Sequence, residues 1–374
     1  MSEPQSRTRV LIVTFAEGIG GPQQHVAALC GHAALREHCA LRVWHVPDRY
    51  RGMGGKWRLW RELRARLAAQ PVDWVYLNLD LSLAFWMCLC LRLGGMQRVL
   101  LHAHAAEFGS PRAGWRQDLF RRAVARWSRH ALAVSPEAAR AMFGARADVE
   151  IMPSLIDFDA LHAAAAAASA APRAGFVFGF VGRLVREKNL QVAIRALSLL
   201  VARGAAAEIV VVGEGEAGAE WQALARSLDV ADRVHFVGAL ASPAPAYAHR
   251  FDALLLPSLR EGQARVLAEA QAFGLPVLAS VGIPGSAWLW PDSRSQAELP
   301  VRDPQAWSVA MQRLIDSHPS RAGWPALAEV NRQPHALARG GARLLQLWRT
   351  GLHPAQIPAL AERKAQAAAQ EPRP

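Results

Sequence analysis

Two glutamates, Glu261 and Glu269, lie eight positions apart after a short apolar run. The run Asp252–Leu256 predicts a strand, and the residues that follow the loop predict a helix. Glu261 would lie in the loop, and Glu269 about two turns inside the helix. Together with the helix N-terminus they would line one crevice at the carboxyl edge of a parallel sheet, which suits a ligand rich in hydroxyls and phosphates.

Two cations, Arg183 and Lys188, follow another apolar run that ends at Gly182. A guanidinium can grip phosphate oxygens in a bidentate fork, and an ammonium adds a point charge. Both would lie at the same sheet edge and face the loop of Glu261. A solvated loop with ordinary surface charges is the alternative.

The acidic residues have structural alternatives as well. A carboxylate on an apolar helix is costly to bury unless it is paired, and ligand hydroxyls would satisfy Glu269. A salt bridge to Arg265 would do the same. Glu261 could simply stabilise a helix N-terminus. Glu214 lies between two glycines at the end of another predicted strand, where a base or ribose could bind.

Gly20 and Gly21 belong to a glycine cluster between the first predicted strand and the first predicted helix. Glycines there let the backbone approach a ligand. The cluster lacks the spacing Gly-x-Gly-x-x-Gly, and no acidic residue convincingly ends the second strand, so a nicotinamide enzyme is disfavoured. A plain tight turn is the alternative.

The composition describes a folded protein of more than one domain. The chain has 374 residues, 52% hydrophobic, and a formal net charge of +12. Residues 1–157 hold 21 Lys and Arg against 13 Asp and Glu, and the remainder holds 22 against 18. The positive excess in the first half indicates an anionic partner: nucleic acid, anionic lipid or a phosphorylated substrate.

The cysteines and the termini indicate a cytoplasmic protein. None of the four cysteines forms a Cys-x-x-Cys pair, and no His and Cys residues have zinc spacing, so we expect free thiols and no metal. The polar N-terminus leads directly into a predicted strand, and we expect no signal peptide. The apolar run Leu81–Leu91 is shorter than the roughly 20 residues that span a bilayer.

Apolar runs alternate with helical patterns in two series, which predicts an α/β protein with two parallel sheets covered on both faces. The predicted strands are Arg9–Phe15, Leu41–Val46, Trp74–Asn78, Val99–His104, Ala131–Ser135, Val149–Met152, Phe176–Gly182, Glu208–Gly213, Arg233–Val237, Ala253–Pro257 and Pro276–Ser280. We expect domains at 1–157 and 175–335, an Ala-rich linker at 158–174, and a C-terminal helix within 336–374 that packs back on the first domain before a frayed tail.

From Phe178 to Ser280 the chain resembles the C-terminal domain of the large family of retaining glycosyltransferases with the GT-B fold, of the family 4 type. The matching segments, in order, are Gly182-Arg183 with Lys188, Val211–Gly215, Arg233–Gly238, Pro257-Ser258 with Glu261-Gly262, Glu269-Ala270 and Gly274–Val277. Gly20-Gly21 with His25, and Pro153 with Ile156-Asp157, extend the resemblance weakly to the first half. It implies two doubly wound Rossmann-like domains that face each other across a cleft.

The resemblance also implies roles for particular residues. Arg183 and Lys188 would hold the diphosphate of a nucleotide-sugar donor, Glu269 would contact the ribose, and Glu261 would face the sugar. The backbone of Gly262, Gln263, Ala264 and Arg265 would approach sugar and phosphate, and Gly20, Gly21, Gly182 and Glu214 would complete the donor site. His104, with His102 as the competing choice, resembles a histidine near the reacting sugar.

The chain departs from the family pattern at several positions. Gln263-Ala264 stands where Phe-Gly is usual, which leaves the sugar open. Asn189 replaces a common Gly, and Ser154-Leu155 replaces a common Asn-Gly. The segment Gly282–Asp292 matches poorly. The cations and both glutamates are present.

The implied reaction is transfer of a sugar from a nucleoside diphosphate, with retention of the anomeric configuration and without a metal or other cofactor. Arg183, Lys188 and a helix N-terminus would stabilise the charge that develops on the leaving diphosphate. A GT-B epimerase or phosphorylase, and a non-catalytic basic binding subunit, are the alternatives.

Basic helices with aromatic residues in the first half point to the acceptor side. Lys56–Arg66 has apolar residues at 57, 60 and 63 with cations between them, and Trp115–His130 carries five arginines. Such helices can lie on an anionic membrane, which suits a lipid-linked or lipopolysaccharide acceptor on the inner face of the plasma membrane. An ordinary solvated face is the alternative. Nucleic-acid binding is disfavoured, since no known module appears.

Overall fold

The computed structural model describes residues 7–15, 21–50, 53–105, 114–146, 148–168, 175–240, 242–283, 296–317 and 336–351. Strands and helices alternate along these ranges, as the sequence predicts. The first series is β1 (Thr8–Phe15), α1 (Gly21–Gly31), α2 (Ala33–His38), β2 (Cys39–Val46), α3 (Met53–Ala69), β3 (Trp74–Asn78), α4 (Leu81–Leu93), β4 (Val99–Ala103), α5 (Gly114–Trp127), β5 (His130–Ala133), α6 (Pro136–Phe143) and β6 (Glu150–Ile151).

The second series begins after a crossover segment, Met152–Asp157, that leads from β6 into the next helix. It consists of α7 (Phe158–Ala166), β7 (Phe176–Val181), α8 (Leu190–Val201), β8 (Ala207–Val212), α9 (Gly218–Ser227), β9 (Val234–Gly238), α10 (Ala244–His249), β10 (Ala253–Leu256), α11 (Arg265–Ala272), β11 (Val277–Ser280), β12 (Gln296–Leu299), α12 (Pro304–Ser317) and α13 (Leu337–Thr350).

Each series forms a six-stranded sheet, with strand order β2-β1-β3-β4-β5-β6 in the first and β12-β11-β10-β7-β8-β9 in the second. The strand pairs are parallel. Every residue of β3 and β4 is buried, because helices cover both faces of the sheet. The predicted α/β class with two doubly wound domains is confirmed.

Several boundaries differ from the predictions. Helix α11 begins at Arg265, so Glu269 lies just over one turn inside the helix and not two. The reason is local: Ala264 has φ −85° and ψ 89°, outside the helical region, so the loop extends to it. Strand β6 has two residues rather than four, and β12 is an additional edge strand whose polar sequence, Gln-Ala-Glu-Leu, carries no apolar run.

The Ala-rich segment begins as a helix, because alanine favours that conformation. Phe158 of α7 is buried in a cluster with residues of the second domain, and Ala165 of the same helix is buried as well. Helix α13 instead packs on the first domain, where Leu344 and Trp348 join the core. The indole N–H of Trp74 donates to the carbonyl of Trp348 at 2.8 Å.

Two chain passages between the domains run side by side. Ile156 and Ala336 form a parallel β-bridge, and the N–H of Leu337 donates to the carbonyl of Ile156 at 3.2 Å. Within the described ranges, no helix is both long and apolar enough to cross a bilayer. Gly20, most of the segment 282–292 and the predicted tail lie outside these ranges.

Candidate functional site

The ammonium of Lys188 and the carboxylate of Glu261 meet at the carboxyl edge of the second sheet. Nζ of Lys188 lies 2.5 Å from Oε1 of Glu261, and the Ser258 hydroxyl donates to the same oxygen at 2.7 Å. The two charged side chains are 19% and 10% exposed. Both donors use Oε1, so Oε2 of Glu261 has no hydrogen-bond partner among the described residues and can accept a ligand hydroxyl.

Asn189 fixes the turn that carries Lys188. It has φ 52° and ψ 33°, the left-handed conformation that Gly and Asn tolerate best. Its buried amide nitrogen donates to the carbonyls of Pro257 and Val301 at 3.0 and 2.7 Å. The replacement of a common Gly by Asn therefore keeps the backbone conformation and ties this turn to the strand β10 loop.

Arg183 and Glu214 follow the neighbouring strands β7 and β8 at the same edge, and both are exposed. The guanidinium of Arg183 makes no hydrogen bond or ion pair to any residue that the structure describes. Glu214 accepts from the N–H of Ala239 at 3.3 Å. A Cβ on Gly213, which has φ 141°, would lie 1.9 Å from the carbonyl oxygen of Gly182, so this close strand approach requires glycine.

Glu269 is buried with two protein partners. The Tyr247 hydroxyl donates to Oε2 at 3.1 Å, and Nη2 of Arg265 lies 3.4 Å from Oε1. Burial, and then the neighbouring Glu269 charge, raise the pKa of Tyr247 well above its usual value, so the phenol keeps its proton. Arg265 was the alternative partner from the sequence. Tyr247 lies on another helix, and no sequence signal links it to Glu269.

The loop from Gly262 to Arg265 lies directly against the first domain. The Ser135 hydroxyl donates to the carbonyl of Gly262 at 3.0 Å. Ala264 is buried, and a Cβ built on Gly21 would lie 3.6 Å from Cδ of Arg265. The structure therefore brings together predicted residues from both domains.

Side chains of this loop also hold the crossover segment. The N–H of Ser154 donates to Oε1 of Gln263 at 2.7 Å. Nη1 of Arg265 donates to the carbonyl of Leu155 at 3.0 Å. Gln263 and Ser154, two of the departures from the family pattern, thus contact each other.

A buried chain of hydrogen bonds lies beside this contact in the first domain. The N–H of Leu155 donates to Nδ1 of His25, and Nε2 of His25 lies 2.9 Å from the Tyr76 hydroxyl. That hydroxyl lies 2.6 Å from Nδ1 of His102, and Nε2 of His102 lies 2.9 Å from the carbonyl of Met152. The backbone donor and the backbone acceptor at the two ends assign every proton in the chain, with both imidazoles neutral.

His104 lies next to this chain, with its ring centroid 4.2 Å from that of His102. Its Nδ1 lies 3.5 Å from the Ser154 hydroxyl, and its Nε2 is buried with no hydrogen-bond partner in the described structure. Of the two candidate histidines, His104 therefore has an uncommitted ring nitrogen, and His102 has none. Burial first, and then the nearby His102, His25 and Arg265, lower the pKa of His104 well below 6.5.

The three histidines bring their ring nitrogens within 4.8 Å of one another, although His25 is far from His102 and His104 in sequence. In chemical type they could bind a metal ion. However, both nitrogens of His25 and both of His102 already have hydrogen-bond partners, so a metal would have to break that chain. The residues fit a neutral hydrogen-bonded network better than a metal centre.

Comparison with known proteins finds a family similar to the second domain and solved structures similar to the whole fold. Residues 175–317 match the family described as "Glycosyl transferases group 1". The chain is 32% identical over 145 residues to 2-deoxystreptamine glucosyltransferase of Streptomyces kanamyceticus. This alignment covers 37% of each chain. It is 29% identical over 229 residues to the putative glycosyltransferase EpsF of Bacillus subtilis, which covers 57% of this chain and 58% of that one.

The chain spans between 35% and 58% of the length of the curated relatives that it matches. The crystal structure of Anabaena Alr3699/HepE in complex with UDP-glucose superposes with a TM-score of 0.70 at 16% identity, over 92% of this chain and all of that one. The two parallel sheets with interleaved helices therefore adopt the GT-B architecture.

Proposed function

We propose that the protein transfers a sugar from a nucleoside-diphosphate donor to a hydroxyl acceptor, with retention of the anomeric configuration. The observation that carries this proposal is the contact between Lys188 and Glu261 at the carboxyl edge of the second sheet. It lies within the segment that matches the glycosyltransferase family model. A cation for phosphate and a carboxylate oxygen for hydroxyls are the two chemistries that a nucleotide sugar requires.

In this proposal the cations stabilise the departing diphosphate. Lys188 is paired with Glu261, while Arg183 is exposed just after β7 and available to a ligand. Donors fixed in advance toward developing negative charge are among the largest contributions to catalysis. Glu269 would bind the ribose with Tyr247 and Arg265 fixing its orientation, and the open Oε2 of Glu261 would accept from the sugar.

His104 is the residue that we propose lies nearest the reacting sugar on the first domain. Its buried imidazole is held neutral, so one ring nitrogen donates and the other accepts. Nε2 makes no hydrogen bond within the described structure, and in this proposal it contacts a sugar hydroxyl. No step requires a metal, because the leaving diphosphate is neutralised by side chains.

For the acceptor we propose a glycan or a lipid-linked glycan of the cell-surface polysaccharide or lipopolysaccharide type, used at the cytoplasmic face of the membrane. Trp57 on α3 and Trp115 on α5 are 62% and 74% exposed, although large apolar side chains usually face the core. Arginines surround both on the exposed faces of these helices. Exposed indoles among cations are typical of a surface that contacts anionic lipid.

A thermal-shift screen with a panel of nucleotide sugars tests the proposal. The first donor to test is UDP-glucose, since it is bound in the related Anabaena structure. A true donor raises the melting temperature with its concentration, because it binds only the folded state. Glu261→Ala and Arg183→Ala should weaken the response. The proposal is wrong if no nucleotide sugar or nucleoside diphosphate stabilises the protein and both variants behave like the wild type.

A further inference from the structure

The crossover segment is held by side chains from both domains. On one side, His102 binds the carbonyl of Met152 and His25 binds the N–H of Leu155. The first domain thus fixes the start of the segment and its fourth residue through the buried His–Tyr–His chain. The segment is a rigid support, not a loose tether, for anything that binds it from the other side.

From the second domain, Gln263 and Arg265 bind the same segment. Gln263 accepts from the N–H of Ser154, and Arg265 donates to the carbonyl of Leu155. We call these two contacts the clasp. Because a carbonyl can only accept and an N–H can only donate, the donor and the acceptor of each contact are fixed.

Arg265 also contacts Glu269, so its guanidinium links the Leu155 carbonyl to the Glu269 carboxylate. No other described residue contacts both of these groups. Nη1 lies on the Leu155 carbonyl and Nη2 lies 3.4 Å from Oε1 of Glu269. The Arg265 side chain is 11% exposed and that of Glu269 is 6% exposed. A planar guanidinium with two fixed acceptors has a fixed orientation, which a lysine ammonium cannot reproduce.

We infer that Arg265 is a positioning residue that couples the Glu269 carboxylate to the crossover segment through the clasp. This inference rests on the proposed function, in which Glu269 binds the ribose of the donor. The consequence is that nucleotide affinity depends on the arrangement of the two domains. When the domains move apart at the clasp, Arg265 loses the Leu155 carbonyl, so Glu269 keeps Tyr247 but loses a guanidinium of fixed orientation.

The contact between Gln263 and Ser154 gives the loop a second anchor on the crossover segment, beside that of Arg265. Both residues replace the usual residues of the family pattern, and the structure pairs them at 2.7 Å. Gln263 thus uses its amide oxygen to anchor the loop to the segment. The loop is positioned by the protein before any sugar binds.

The test measures the dissociation constant for UDP, with other nucleoside diphosphates in parallel, by calorimetry on the full chain. Arg265→Lys keeps the charge but loses the planar guanidinium that contacts two acceptors at once. We expect roughly tenfold weaker UDP binding, which corresponds to the loss of one charged hydrogen bond. Glu269→Gln should also weaken binding, and the double variant should bind no worse than the weaker single variant. Arg226→Lys, at an exposed position of α9, is the matched control and should bind as the wild type does.

A further readout separates positioning from stability. Arg265→Lys should raise the KM for the donor and leave kcat at saturating donor nearly unchanged, whatever the shift in melting temperature. If Arg265→Lys does not fold, Gln263→Met, which is similar in size but lacks the amide oxygen, should weaken binding in its place.

Two results would overturn the inference alone: nucleotide affinity unchanged in the folded variants, or effects of Arg265→Lys and Glu269→Gln that multiply fully. A wild-type protein that binds no nucleoside diphosphate would overturn the proposed function and this inference together.

Discussion

Gly262 of the second domain lies so close to His104 of the first that a Cβ built on the glycine would lie 2.1 Å from the histidine carbonyl oxygen. Real Cβ atoms do not approach oxygen to within 3.0 Å. The observed domain arrangement is therefore compatible only with glycine at this position. The loop that carries Glu261 touches the backbone next to the proposed sugar-contacting histidine.

Gly262→Ala should push the domains apart at this contact. We expect a loss of about 1–3 kcal/mol in stability from overpacking, or a displaced loop with a lower kcat. Urea denaturation, small-angle scattering and steady-state kinetics measure the three effects. Gly31→Ala, at the end of α1 with nothing within 4 Å of its Cβ, is the control. Identical kinetics and scattering in Gly262→Ala would show that the contact is absent in solution.

Lys188→Met removes the cation that contacts Glu261 but preserves most of the side-chain volume. We expect kcat/KM to fall roughly 10²- to 10³-fold, as for the loss of one preorganised charge-stabilising group. Nucleoside-diphosphate binding should weaken in parallel. The control is Arg186→Met, two residues earlier, whose ion pair with Glu220 is exposed on both sides. Equal effects of the two substitutions would argue against a specific role for Lys188.

The buried histidine chain should make the protein sensitive to acid. Burial lowers the pKa of His102 from 6.5 to about 4, although the Met152 carbonyl and Glu150 oppose the shift. The unfolded chain then binds the extra proton first as the pH falls. The stability that the neutral, buried His102 contributes is complete above about pH 6.5 and is lost progressively down to about pH 4.

His102→Gln should lower the number of protons taken up on unfolding in this pH range by about one, since it removes one buried titrating group. Urea denaturation at a series of pH values measures the slope, and NMR titration of the histidine ring protons gives the pKa directly. His235→Gln, at a side chain that is 42% exposed, is the control. An unchanged slope in His102→Gln would contradict the prediction.

The exposed face of α3 should bind anionic membranes. Reversal of charge at Arg58, Arg61 and Arg64 should weaken partitioning onto phosphatidylglycerol vesicles roughly tenfold or more at low salt, since each cation near the surface contributes about 1 kcal/mol. Reversal of Arg195, Arg203 and Arg226, exposed on the second domain, is the matched control. Partitioning that survives the first set of changes would leave these arginines as an ordinary solvated face.

Much of the fold follows from local patterns. Buried strands such as β3 and β7 are continuous apolar runs, and periodicity together with turn residues locates most helices near their observed positions. The contact of Lys188 with Glu261 also follows from parallel topology, because carboxyl ends of adjacent strands share one edge. Within α3, Trp57 is exposed, whereas Leu59 and Leu63 are buried in the core.

The rest of the site depends on contacts between distant positions. His25 and Tyr76 are 51 residues apart, and Ser154 and Gln263 are 109 apart. No periodicity encodes such pairs, since they arise from how the domains pack. His25 carried a weak signal through its place after the glycine cluster, and Tyr247 carried none.

The return of α13 to the first domain has a consequence for synthesis of the protein. The hydrogen-bond partner of the Trp74 indole is the carbonyl of Trp348, 274 positions later in the chain. Leu344 and Trp348 fill the same core. A nascent chain that has completed its first sheet still lacks this covering helix. That apolar face stays open throughout translation of the second domain, so during this interval the half-made protein has the greatest need for protection against aggregation.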